Sequence, residues 1–300
     1  MVPRAEPRSY YGRPVLKSPV WTFEIPTYFW TGGVGGASAA LAFGAELTGN
    51  DDLARRAWLN AGAALAVSPA LLVSDLGVPR RFLNMLRVFK VTSPMSVGSW
   101  LLAGASSATA LAAASSVTGE RRREGRVAGA AAAALGLPLA TYTAALVANT
   151  AVPVWHEARG ELPFVFAASA AASAGAAAVV TTPARHAGPA RALAVGGGVA
   201  ELIAAQVMEH RLGELGEPYR RGPAGAFAWA AKATLAAGAG TLAWRGRRDR
   251  RAAVTGAGLL AAGSLLERWA VFRAGFQSAA DPAYTVGPQA ERRRSAQAGS

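Results

Sequence analysis

Residues 162–181 read LPFVFAASAAASAGAAAVVT, an uninterrupted apolar run that carries no charged side chain. A bilayer core takes about 20 mostly apolar residues in a helix, and a run of this length and composition fits that requirement. Working outward in both directions, seven more windows of similar character fall at 25–47, 57–76, 95–117, 127–148, 192–210, 224–243 and 252–272. Charged or Pro-bearing stretches separate them, among them 51–56, 120–126, 182–191, 214–223 and 245–251. The expectation is an all-α integral membrane protein with eight transmembrane helices in two four-helix bundles. Residues 1–24 form an N-terminal extramembrane segment, 25–148 the first bundle, 149–272 a supporting second bundle and 273–300 a disordered tail.

The composition agrees. Of 300 residues, 52% are hydrophobic and only 16% charged, and the mean hydropathy is +0.22. A net charge of +13 would suggest nucleic acid in a soluble chain, but here Lys and Arg punctuate the apolar windows instead of forming one face, so nucleic acid is not an expected partner. Several windows are rich in Ala and Gly. Gly32-Gly33-Val34-Gly35-Gly36, Gly196-Gly197-Gly198 and Gly238-Ala239-Gly240 suit close helix packing through small residues. A phosphate-cradling loop does not fit, because Gly32–Gly36 lies inside an apolar span and follows no strand.

The sequence has no Cys, which removes thiolate zinc sites, Cys nucleophiles, iron–sulfur ligation and covalent haem attachment from this chain. Its three histidines, His156, His186 and His210, lie in loops or at a span end. A transmembrane b haem takes two histidines facing each other within helices, so neither haem nor any metal site is expected.

Residues 1–24 carry Arg4, Arg8, Arg13 and Lys17 but no apolar h-region, so no cleavable signal peptide is expected. Eight spans place both termini on one side, side A, with loops 77–94, 149–161 and 211–223; side B holds loops 48–56, 118–126, 182–191 and 244–251. Lys and Arg number 13 in the 36 residues of side B and 16 in the 96 residues of side A. Density favours a cytoplasmic side B and the raw total side A; the rule weights short loops near span ends. A multi-pass protein of the cytoplasmic membrane with extracytoplasmic termini is the resulting expectation.

Two stretches carry a specific resemblance. Tyr11-Gly12-Arg13-Pro14-Val15 leads into Trp21-Thr22-Phe23-Glu24-Ile25-Pro26-Thr27-Tyr28-Phe29, and Ser74-Asp75-Leu76-Gly77-Val78-Pro79-Arg80-Arg81-Phe82 precedes Asn84-Met85-Leu86-Arg87 and Thr92-Ser93-Pro94-Met95-Ser96-Val97-Gly98-Ser99-Trp100. Together they resemble the NrfD/PsrC family, the membrane subunits of polysulfide reductase-type molybdoenzyme complexes. Thr141-Tyr142-Thr143 with Asn149 and Pro153-Val154-Trp155 is similar to the end of that family's fourth helix; beyond residue 160 only hydropathy and span count agree. The resemblance implies a membrane anchor and quinone/quinol oxidoreductase subunit, not an enzyme on its own. It would exchange electrons between menaquinone or ubiquinone and an iron–sulfur subunit bound to a molybdopterin catalytic subunit. It also implies that Glu24, Thr27 and Tyr142 line the quinone pocket. Thr27 stands where a polysulfide reductase relative is expected to carry His, and Glu24 where it carries Asn, which leaves Tyr142 the best-supported ligand.

The residues themselves can be read beside that. Glu24 opens span 1, Asp75 lies one residue from the end of span 2, Ser96 and Ser99 begin span 3, and Tyr142 lies about 9 Å before the end of span 4. All sit near side A. A quinone head needs hydrogen-bond donors at its carbonyl oxygens and a carboxylate path for protons, which a phenol and carboxylates supply. Glu24, Asp75 and Tyr142 are therefore the candidate catalytic groups, with Thr27, Tyr28 and Ser99 as further quinone contacts. The alternatives are a packed tyrosine at 142, a carboxylate favoured by the helix dipole at 24, and an Asp75 paired with a nearby arginine. Arg80, Arg81, Phe82, Arg87 and Lys90 form an amphipathic loop read as the docking surface for the partner subunit; a helix lying on the lipid surface is its alternative. Glu201 and Lys232 both fall about 12–14 Å below side A and are expected to form a buried ion pair. Two other functions remain open, a purely structural anchor and a transporter, though no repeat relates the two halves as many transporters require.

Overall fold

The computed structural model describes residues 14–120, 122–287 and 297. Arg4, Arg8 and the Tyr11-Gly12-Arg13 portion of the N-terminal motif lie outside the described residues. All regular structure described is helical: α1 (Glu24–Leu47), α2 (Asp51–Asp75), α3 (Pro94–Thr118), α4 (Arg122–Ala148), the short α5 (Pro153–Glu157), α6 (Leu162–Thr181), α7 (Gly188–Leu212), α8 (Gly222–Trp244) and α9 (Arg250–Ala280). Each apolar window falls on one of the eight long helices, the second running one residue past the end of α2, and α2, α3, α4, α6 and α7 are long and apolar enough to cross a membrane.

Helix boundaries follow local chemistry. Asn50, Ser93 and Asp249 cap α2, α3 and α9 by accepting from Leu53 N, Ser96 N and Arg251 N, which satisfies an orphan first-turn donor in each. Pro opens α3, α5, α6, α7 and α8, where its missing N–H removes no bond. Gly77 follows α2 at φ +63°, the left-handed stop that its place before Val78-Pro79 predicts. Arg250 donates to the carbonyls of Val179 and Val180 at 2.7 and 2.5 Å, closing the end of α6.

In packing order, α1 touches α2 and α4 while α3 bridges those two; α6 touches α7 and α9 while α8 bridges those two. The halves meet where α1 lies on α6, with α4 and α9 flanking. α1 is therefore an interior helix, buried on most of its circumference. That explains why it falls short of the apolarity needed to face lipid: an enclosed helix needs close neighbours more than a greasy surface. Its glycines supply the closeness. A Cβ on Gly36 would fall 2.2 Å from the carbonyl oxygen of Gly136 in α4, so these backbones touch with nothing between them. Gly197 meets the backbone of Ala172, and Gly238 that of Leu260, whereas Gly196 and Gly240 face open space.

α9 is 31 residues long, about 46 Å, and runs to Ala280, beyond the window ending at 272. Residues 273–280, expected in a tail, are therefore helical. The extension is held because Ala274, Gly275, Ser278 and Ala279 are buried, with Trp155 Nε1 donating to Val271 O at 2.7 Å. Past α9, Tyr284 Oη donates to Glu217 at 3.2 Å; partial burial and that carboxylate push its phenol up to about 12.

The substitution Gly36→Leu should destabilise the protein by about 3 kcal/mol through overpacking against backbone that cannot give way. Gly240→Ala should shift the unfolding midpoint in detergent little. Equal midpoints for the two variants would remove the packing role assigned to Gly36.

Candidate functional site

The first turns of α1 carry the site. Glu24 and Tyr28 lie four residues apart and so share one helix face. Just before the helix, the Thr22 hydroxyl is in contact with a Glu24 carboxylate oxygen and lies 2.9 Å from Asp75 Oδ1. One hydroxyl hydrogen serves two carboxylates, so α1 and the end of α2 are joined by a carboxyl–hydroxyl–carboxyl cluster. Thr22 is held there by its neighbour: Trp21 stacks on Trp155 of α5 at 5.6 Å between centroids.

One turn deeper, the hydroxyls of Tyr28 and Tyr142 are hydrogen-bonded to each other. Tyr28 is 1% exposed, and α4 supplies Tyr142 through a gap that α3 leaves for it. A Cβ on Gly98 would fall 2.0 Å from the Tyr142 ring, so only glycine lets the phenol lie across α3 toward α1. Two paired phenols carry two O–H groups and use one between them. The other O–H can donate to a further acceptor.

The remaining expected contacts are placed differently. Thr27 donates to Phe23 O at 2.9 Å and Ser99 to Met95 O at 2.8 Å, so both hydroxyls are spent on their own helices. Ser96 instead fastens the loop before α3, donating to Val88 O and accepting from Lys90 N, each at 3.0 Å. That loop runs through a 3-10 stretch, Pro79–Leu86, and leaves Arg80, Arg81, Arg87 and Lys90 exposed. Phe82 is half-buried, and Leu83 and Val88 are 69% and 68% exposed. Thr22 and Gly98 were not among the expected site residues. Both lie inside the motifs that carry the family resemblance, but neither a surface-type hydroxyl before a helix nor a glycine within a span announces its partner.

A second polar system lies in the other half, and here the expected pairing is corrected. Lys232 Nζ lies 2.7 Å from Glu209, not Glu201. The two glutamates are two helical turns apart, and the lysine stem carries its ammonium along the bundle toward the helix end. Glu201 faces α9 instead, accepting from Ser264 Oγ at 2.6 Å. Arg268, also buried, lies over the Phe166 ring at 3.6 Å and donates to Phe166 O at 2.8 Å. Among the described residues, Glu267 has no hydrogen-bond partner for either carboxylate oxygen.

An apolar cleft of about 920 Å³ runs between α1, α4, α6 and α7. Thr141, the residue before Tyr142, lines it, as do Leu137, Ala140, Ala170 and Gly197. Glu24, Asp75 and the phenol pair are not in its walls.

Two substitutions probe these arrangements. Gly98→Ala should separate the Tyr142 phenol from Tyr28 while the helices still assemble, visible as a changed tyrosine signal in ultraviolet difference spectra against Tyr28→Phe. Lys232→Met leaves the Glu209 carboxylate buried without its cation and should cost about 3 kcal/mol, with Glu209→Gln in the same chain restoring most of it; a loss reversed by Glu201→Gln instead would contradict the pairing.

Among curated proteins none matches the chain. The family model described as polysulphide reductase, NrfD, matches residues 15–190, a stretch that runs from before α1 into the first turn of α7 and contains Thr22, Glu24, Tyr28, Asp75, Gly98 and Tyr142. It covers more than half of the sequence, and five of the helices described above are able to cross a bilayer. The chain is a multi-pass membrane protein belonging to the NrfD polysulphide reductase family.

Proposed function

We propose that this protein is the quinone-reactive membrane subunit of a multi-subunit redox enzyme. Its eight long helices all span the bilayer as two four-helix bundles, α1–α4 carrying the site and α6–α9 supporting it. The observation that carries this reading is the phenol pair of Tyr28 and Tyr142, buried one helical turn below the Glu24, Thr22 and Asp75 cluster.

The residues fit a quinone or quinol, menaquinone or ubiquinone. The free O–H of the phenol pair donates to one ring oxygen, fixing the head group's orientation. Interconversion of quinone and quinol moves two electrons and two protons. Glu24, on the same face of α1 as Tyr28, receives or delivers a proton, and Thr22 links it to Asp75 near side A. General acid–base transfer of this kind is typically worth about 10²–10⁴ in rate. The cleft that starts beside Tyr142 at Thr141 has the apolar walls an isoprenoid tail needs.

With no cysteine in the chain, thiolate-bound clusters belong to another subunit. The electron partner is an iron–sulfur protein attached to a molybdopterin subunit, docked on the exposed basic and apolar loop that includes Arg80, Arg81, Phe82, Arg87 and Lys90. The density of arginine in the short loops of side B supports a cytoplasmic side B, with the docking loop outside it.

The test uses the complex purified with its partner subunits. Glu24→Gln and Tyr142→Phe should each lower quinone turnover by about 100-fold while subunit stoichiometry and dye-linked activity of the catalytic subunit stay at wild-type levels. Thr22→Val should lower turnover less and move its pH profile. Wild-type turnover in both Glu24→Gln and Tyr142→Phe would falsify this pocket and favour a purely structural anchor.

A further inference from the structure

At side B a crevice of about 430 Å³ opens between the first turns of α7 and the last turns of α8. Its walls are Ala192, Val195, Leu242 and Ala243, and its rim carries two arginines, Arg191 and Arg247. It is thus apolar inside and cationic at its mouth. Arg191 is held in place by donating to the Gly246 carbonyl at 3.3 Å, a neutral partner that leaves its charge uncompensated. No carboxylate lies within 4 Å of either guanidinium among the described residues.

Two of the neighbouring charges are committed elsewhere. Arg250 is bound to the carbonyls at the end of α6, and Asp249 uses its carboxylate as the α9 cap. Trp244, beside the crevice at the end of α8, is 86% exposed. An indole so placed, with arginines one turn beyond it, marks the level of lipid head groups. A basic mouth at that level above an apolar slot between two helices complements one kind of molecule, with a phosphodiester at the top and a hydrocarbon chain below.

We propose that this crevice is a binding site for an anionic phospholipid, its phosphate held by Arg191 and Arg247 and one acyl chain lying along Ala192, Val195 and Leu242. The site rests on the membrane-spanning reading of α7 and α8; it lies two helices from the phenol pair in the packing order, and Ala192 of α7 stands between it and the cleft assigned to the isoprenoid tail. The lipid joins α7 to α8, which are connected in sequence only at side A, and so fastens the open end of that helix pair.

The experiment follows the unfolding midpoint of the detergent-purified protein with added phosphatidylglycerol, phosphatidylcholine or inorganic phosphate. Phosphatidylglycerol should raise the midpoint by about 4 °C or more over phosphatidylcholine, and inorganic phosphate should leave it unchanged. Arg191→Gln with Arg247→Gln should abolish the difference, and Val195→Trp, which fills the slot, should do the same. Arg245→Gln with Arg248→Gln, on the same loop but outside the crevice, should keep it. Because Arg191 also braces the loop, Arg247→Gln alone decides the matter if the double variant does not fold, and should lose at least half of the shift. Equal effects of the two lipids, a shift given by inorganic phosphate alone, or an undiminished shift in Arg247→Gln and Val195→Trp would each overturn the proposal.

Discussion

The architecture depends on the direct backbone contact between α1 and α4 at Gly36 and Gly136. A helix surrounded by α2, α4, α6 and α9 can be accommodated only if its neighbours come close, and side chains at these positions would hold them apart. The same helix makes room at Gly35 for the Leu65 side chain and comes close to Ala170 of α6 at Gly33. Glycine in a helix interior is conformationally costly, and enclosure on all sides supplies the compensation that an exposed helix would lack. Glu24 and Tyr28 lie on this helix, and Asp75 and Tyr142 each meet a residue on it or just before it, so α1 is the part of the fold on which the candidate site is assembled.

The two halves handle buried polarity in different ways. Near side A, hydroxyls do the joining: Thr22 between two carboxylates, Tyr28 with Tyr142, and deeper in the half Ser68 donating to Thr31 at 2.9 Å. Such groups are small, can donate and accept, and can change partner without moving a net charge. In the other half, ionisable groups are enclosed, and all but Glu267, which has no hydrogen-bond partner among the described residues, are met by something different. Lys232 has Glu209, Arg268 has the face and carbonyl of Phe166, and Glu201 has Ser264. Charges at such depth are normally paired, which fits the supporting role proposed for that half, and exchangeable hydroxyls fit the ligand site proposed for the other.

Hydropathy alone located every long helix; five of them are long and apolar enough to cross a membrane, where the distance across a bilayer and the cost of unpaired backbone groups leave a span few alternatives. The motif residues located Glu24, Tyr28, Asp75 and Tyr142 near one end. What hydropathy and depth could not supply was rotation about each helix axis. Glu201 and Lys232 stand at similar depths, yet the first faces α9 and the second α7, and depth carries no information about azimuth. Thr27 and Ser99 illustrate the same limit at finer scale, since a hydroxyl in a helix can always return to the carbonyl a turn earlier. Gly98 was invisible for the opposite reason: its function is the volume it leaves to Tyr142, and an absent side chain shows only against the neighbour that fills the gap.

Trp155 connects regions that the family match separates. Its indole stacks under Trp21, donates to Val271 O and lies so close to Gly275 that a Cβ there would come within 2.0 Å of the ring. The matched region ends at residue 190, yet the backbone that presents Thr22 to Asp75 is braced from residues 271 and 275. The matched segment is therefore not mechanically self-sufficient. At position 275 the last helix inherits a steric condition written by the first half, and a chain shortened before that turn would lose the buttress of its own entrance.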